Sequence, residues 1–172
     1  MRFFFIKTIF FLLFINFAEA NNDIRFIDIN YIVDNSITGK NLNQVIEKKN
    51  KKIADELKIL GKKLEKQKNK IVSQKNILKK EDLDNLVKVY ENEVREFNEI
   101  RKKKLDEFNS FNIRSKKKII DLLNPLITTY LEKESIQMLL QKDKIIFGND
   151  TLDITKEILK LFDSKHKKIQ FE

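Results

Sequence analysis

The side chains that could do chemistry in this 172-residue chain are overwhelmingly lysines. The stretch "IEKKNKKIADEL", Ile46 to Leu57, sets Lys48, Lys49, Lys51 and Lys52 within five positions. Further on, Lys62, Lys66 and Lys70 recur at i, i+4 spacing, which stacks them on one helical face. Like charges so placed cost a few tenths of a kcal/mol per pair. An acidic or amphipathic partner would offset that cost; without a partner the row is a solvated face. Residues 41–80 hold 13 lysines against four acids, Glu47, Asp55, Glu56 and Glu65. Their net charge of +9 equals that of the whole chain, so the basic character belongs to one segment.

Catalytic chemistry finds little to work with. The chain has no cysteine and one histidine, which removes thiol chemistry and argues against a zinc or transition-metal site. His166 stands in "DSKHKK" and reads as part of a solvated tail. No nucleophile motif, phosphate loop or paired carboxylates has a suitable setting. The chain reads as a binding protein with no reaction and no cofactor.

The elements that position the lysines follow from apolar spacing. From Leu42 the apolar residues fall at 42, 46, 53, 57, 60, 64, 71 and 78, the seam of a long helix. Gly61 lies inside it, at a cost of about 1 kcal/mol, as a candidate bend. "LKKEDLDN", Leu78 to Asn85, is where the chain is expected to turn, with Asp82 or Asp84 capping the returning helix. A second seam runs through Leu83, Leu86, Tyr90, Val94, Phe97, Leu105, Phe108 and Phe111 to Ile120, Leu123, Ile127 and Leu131. Phe97, Phe108 and Phe111 are read as packing that seam. Pro125 is expected to kink or interrupt the helix, because it lacks an N–H and clashes with the preceding turn.

Short elements flank this hairpin. "DIRFIDI", Asp23 to Ile29, reads as a strand, and "NYIVDNSITG" as a helical turn stopped by Gly39. "SIQMLLQKDKIIFG", Ser135 to Gly148, reads as two strands joined at Lys142–Asp143. "LDITKEILKLF" is a closing amphipathic helix with Asp153 as its N-cap. The expected fold is α+β, mostly α: a long antiparallel helical hairpin rising from a small three-stranded body. Residues 21–40 and 134–172 form that body and 41–133 the arm. So little sheet leaves apolar surface and strand edges open, so oligomerisation through the body is expected.

The first twenty residues read as an export signal. Arg2 and Lys7 precede the apolar run "TIFFLLFINF", and "AEA" at Ala18 to Ala20 offers small residues for cleavage after Ala20. The run is shorter than the roughly 20 residues of a membrane-spanning helix. An uncleaved N-terminal anchor is the alternative.

With these features together, the chain resembles the Skp/OmpH family of periplasmic chaperones. The resemblance rests on the export signal, the first strand "IRFIDI", the basic helical hairpin and the block "MLLQKDKIIFGNDTLDITKEILKLF" with Asp153-Ile154-Thr155. It implies a homotrimer whose arms enclose unfolded outer membrane proteins, without ATP, and prevent their aggregation in the periplasm. Lys48, Lys51, Lys52, Lys62, Lys66 and Lys70 are then the candidate client- or membrane-binding residues. An anionic membrane surface or lipopolysaccharide is a further candidate partner, with no residue-level lipid site carried over. Ile24, Phe26, Ile27, Met138, Leu140, Ile145, Phe147, Ile154 and Ile158 form the body, some of them between subunits. A charge at Phe147 or Ile154 is expected to disperse the trimer.

Two other classes fit a basic coiled coil. A nucleic-acid binder suits the charge, but export removes its ligand, so no nucleic acid is expected as a partner. An envelope structural protein would keep its N-terminus as an anchor.

Overall fold

A computed structural model describes residues 24–171; the export signal expected over 1–20 lies outside the described residues. Strand β1 (Ile24–Ile27) is followed at once by helix α1 (Ile29–Asn35). Asp28 makes the change of direction. Its carboxylate accepts the Tyr31 N–H at 2.8 Å and caps α1, while its own N–H donates to the Thr155 hydroxyl at 2.8 Å. Ser36, fully buried, ends α1 and caps α2 (Ile37–Gln74) through its hydroxyl, which accepts the Gly39 N–H at 3.0 Å.

Gly39 therefore does not stop a helix, as expected, but sits in the first turn of the longest outgoing one. Its role is steric. A Cβ there would lie 1.7 Å from the Val33 carbonyl oxygen, so only glycine lets α1 and α2 fold against each other.

Helix α2 spans 38 residues and α3 (Lys80–Lys133) 54, about 57 and 81 Å at 1.5 Å per residue. Leu42 is buried and Ile46, Ile53, Leu57, Leu60, Leu64 and Ile71 are half-buried, which is the seam facing α3. Polar pairs cross it in regular antiparallel steps. Glu56 meets Lys104 at 2.5 Å, and Glu93 meets Gln67 at 2.9 Å and Lys63 at 3.5 Å.

The turn comes earlier than expected. α2 ends at Gln74, whose carbonyl accepts the N–H groups of Ile77 and Leu78, and α3 already starts at Lys80. Lys79 occupies the cap position with no side-chain bond, and Asp82 and Asp84 lie within the helix. Asp82 still faces the positive end of the helix dipole from the first turn.

Nor does Pro125 interrupt α3, which runs on to Lys133. Leu123 and Ile127 on either side are buried in the body, and that packing offsets the roughly 3 kcal/mol an interior proline costs. α3 ends with Ser135 at φ 54°, and the Ile136 N–H reaches back to the Leu131 carbonyl at 2.9 Å.

Strand β2 (Met138–Gln141) pairs with β1 in parallel, Ile24 opposite Met138 and Ile27 opposite Gln141. Out-and-back travel through the arm returns the chain to the end of the body it left. The expected hairpin does not form: Lys142–Lys144 is a 3-10 turn, and Ile145–Phe147 is not a strand. Lys142 is held by Asp153 at 2.6 Å, which turns the chain across β1 instead of back along β2. The second edge of β1 is met by a single parallel bridge, Phe26 to Asp153, with the Ile154 N–H donating to the Phe26 carbonyl at 3.0 Å. Among the described residues the sheet thus has two strands, not three.

Helix α4 (Thr155–Lys165) closes the body. Its cap position is Ile154, not Asp153, but Asp153 lends its carboxylate to the Thr155 N–H at 2.9 Å. Ile158 and Phe162 are fully buried against Ile27, Ile32, Ile119 and Leu123. His166 is half-buried, its ring 5.1 Å from that of Phe162, rather than solvated.

Candidate functional site: a basic arm and an open body edge

All six candidate lysines, Lys48, Lys51, Lys52, Lys62, Lys66 and Lys70, lie on the exposed surface of α2. Among the described residues none of them forms an ion pair with a carboxylate. Glu56 and Glu93, the carboxylates that bridge the two legs, pair with Lys104 and Lys63 instead. Hydrogen bonding to Lys104, in first place, holds the Glu56 carboxyl below its ordinary value, and Lys63 pairs with Glu93. Lys49, beside the seam, is engaged differently: its Nζ stands 4.5 Å over the Phe111 ring. That contact stabilises by about 0.5–1 kcal/mol at an exposed site. The row Lys62, Lys66 and Lys70 thus presents a positive field, which an acidic or anionic partner would neutralise.

Apolar groups are interspersed on the same arm. Ile59, Val72 and Ile77 on the outgoing leg and its tip are exposed, as is Ile113 on the returning leg. Phe111 is buried at the root, and Phe97 and Phe108 are half-buried in the seam. The exposed aliphatics were not singled out by periodicity, because they lie off both seams.

The body residues divide into two groups. Phe26, Ile27, Ile154 and Ile158 are buried within the subunit. Ile24, Met138 and Leu140 are exposed at the strand pair, Ile145 is half-buried, and Phe147 is 92% exposed beside a fully exposed Ile146. Among the described residues nothing pairs with the outer edge of β2, and these side chains beside it are left as apolar surface.

Lys142 and Asp153 hold the corner between the groups. Lys142 bonds Asp153 and lies 5.6 Å from the Phe26 ring centre. Burial pushes the Asp153 carboxyl up, but hydrogen bonds from Lys142 and Thr155 outweigh it and leave it below its ordinary 3.8. A lowered folded value stabilises the folded state above 3.8, and the contribution is lost as pH falls through the lowered value. In acid titrations of melting temperature, Asp153→Asn is expected to flatten the loss below pH 3.8, at the cost of lower stability at neutral pH. An unchanged acid profile would contradict this role for Asp153.

Among the described residues no group of His, Cys, Asp and Glu is arranged to hold a metal ion, and no helix is long and apolar enough to cross a membrane. The chemistry on offer is many weak contacts: exposed ammonium groups and aliphatics along a helical arm.

No curated protein matches the sequence significantly. Among solved structures, a crystal structure from Caulobacter crescentus, of a chain described as an OmpH-like outer membrane chaperone, superposes with a TM-score of 0.79. The match covers 90% of this chain and 92% of that one at 15% identity, and so concerns the fold. Residues 23–162 match the family described as outer membrane protein (OmpH-like). That span takes in β1, both legs of the arm, β2 and most of α4, and the chain accordingly belongs to the OmpH-like family, the Skp/OmpH group.

Proposed function

We propose that this protein is an ATP-independent holdase chaperone of the periplasm, which binds unfolded outer membrane β-barrel proteins between the arms of a homotrimer. The observation that carries the reading is the exposed, unpaired lysine row on α2, interspersed with exposed aliphatics, on an arm rising from a body with uncovered apolar surface. Membership of the OmpH-like family supports it, as does the export-signal pattern of residues 1–20, with the mature chain starting at Asn21. Residues 41–133 act as the arm; 21–40 and 134–172 act as the trimerising body.

Three copies would join their bodies through the β2 edge and the exposed Met138, Leu140, Ile146 and Phe147. The three basic legs would then face a common cavity, where their fields add and hasten capture. Individually weak contacts hold a client through avidity. Release needs no nucleotide, because a client that folds into a membrane leaves the equilibrium. An anionic membrane surface, or lipopolysaccharide, would meet the same lysines.

The test is refolding of a denatured β-barrel protein with and without the purified chain. Suppression of aggregation at a ratio of one trimer per client is expected; undiminished aggregation would sink the proposal. Replacing the six candidate lysines, Lys48, Lys51, Lys52, Lys62, Lys66 and Lys70, by glutamine is expected to slow capture and weaken its salt dependence while leaving the helical signal intact. Lys49, which packs on Phe111, is left in place. Capture by that variant at an unchanged rate and salt slope would show that the lysines are only a solvated face.

A further inference from the structure

The last described residues do something that a helix terminus need not do. α4 ends at Lys165, and the His166 N–H closes its last turn on the Phe162 carbonyl at 2.8 Å. Beyond it the chain crosses the root of the arm and touches both legs. On the outgoing leg, the fully buried Thr38 donates its hydroxyl to the His166 carbonyl. One residue earlier, the Ile37 N–H, an orphan donor of the first turn of α2, is taken by the Asp163 carboxylate at 2.8 Å. On the returning leg, Lys118 Nζ donates to the Gln170 carbonyl at 3.0 Å. Ile169 and Phe171, both half-buried, pack against the body core and hold the crossing down, whereas Lys167 and Lys168 are exposed.

We infer that residues 166–171 form a strap that sets the angle at which the arm leaves the body, and with it the width of the client cavity; the second half of this statement rests on the holdase reading. Leverage makes the root the effective place for such control. A rotation of about 10° at the base of a helix the length of α2 moves its far end by about 10 Å, since each residue adds 1.5 Å. The two bonds at the crossing use backbone carbonyls of the tail and side chains of the legs, so they tie positions rather than recognise a sequence. Thr38 and Lys118 are thus positioning residues: they touch no client but orient the lysines that would.

The chain has no cysteine, so labels can be placed uniquely. Lys58→Cys on the exposed surface of α2 and Lys156→Cys on α4 carry a spin-label pair between arm and body. The doubly labelled full chain, diluted with unlabelled chain, is compared by electron-electron resonance with the same chain ending at Lys165. A narrow distance distribution is expected in the full chain. In the shortened chain, at equal helical circular dichroism, it is expected to broaden and shift. An identical distribution would overturn the strap. Should the shortened chain lose helical signal, the Thr38→Val, Lys118→Met double variant, which keeps the tail and its apolar anchors, decides by the same distance. Failure of the full chain to suppress aggregation would count against the holdase reading and leave the distance result to judge the strap.

Discussion

Phe147→Asp is expected to convert the proposed trimer into single subunits while leaving each subunit folded. Phe147 is 92% exposed, so a carboxylate there costs the isolated subunit nothing. At a closed interface the same carboxylate would be buried without a partner, at about 3–5 kcal/mol, roughly a thousandfold in the dissociation constant. Light scattering reads the mass and circular dichroism the fold. Ile154→Asp gives the contrast. Ile154 is only 4% exposed inside the subunit, so a charge there is expected to unfold the body. In sequence the two positions are equivalent interface probes; burial separates them. An F147D protein that keeps the mass of the assembly would remove Phe147 from the interface.

The second large effect is at the joint between α1 and α2. Gly39→Ala would bring a methyl group to 1.7 Å from the Val33 carbonyl oxygen and 2.8 Å from its carbon. Both atoms are backbone, so relief requires the two helices to move apart, breaking the Ser36 cap and uncovering Leu42. A loss of about 3 kcal/mol or more is expected, at the upper end of overpacking costs. Gly61→Ala is the internal control. Nothing lies within 4 Å of a Cβ there, so the substitution is expected to stabilise the arm by up to about 1 kcal/mol through helix propensity alone. Thermal melts of the two variants should move in opposite directions. If G39A melted like the parent chain, the tight joint would not be a constraint.

These two glycines show why the body was harder to read than the arm. Both lie in an amphipathic pattern, and nothing local distinguishes the one that permits a close backbone approach from the one in open space. The arm's seams were legible because a helix seam depends on residues three and four apart, which the sequence places side by side. In sequence Gly39 masks the cap at Ser36, and Asp82 and Asp84, strong cap residues that here serve only the first turns of α3, draw the expected turn past its true place. Pro125 misled because its helix-breaking tendency is intrinsic, whereas the packing of Leu123 and Ile127 that overrides it is tertiary.

In the body, β-branched and aromatic content made Ile145–Phe147 look like a strand. Whether such a segment pairs depends on an open edge beside it, and the Lys142–Asp153 bond carries the chain away from β2. The tail is illegible in sequence for the same reason. "HKKIQF" is polar enough to pass for solvated chain, yet Ile169 and Phe171 return to the core and its carbonyls meet Thr38 and Lys118.

By itself, then, the sequence determined a long lysine-faced helical hairpin with its net positive charge confined to one leg and a small mixed body at its base. Those follow from periodicity and composition, which are properties of neighbours along the chain. The tertiary structure alone decided that β1 and β2 run parallel, that Phe147 faces outward while Ile154 faces inward, and that the tail binds both legs. Each of these depends on partners from about 50 to more than 120 residues away, a separation over which local preference carries no information and only burial and hydrogen-bond satisfaction choose.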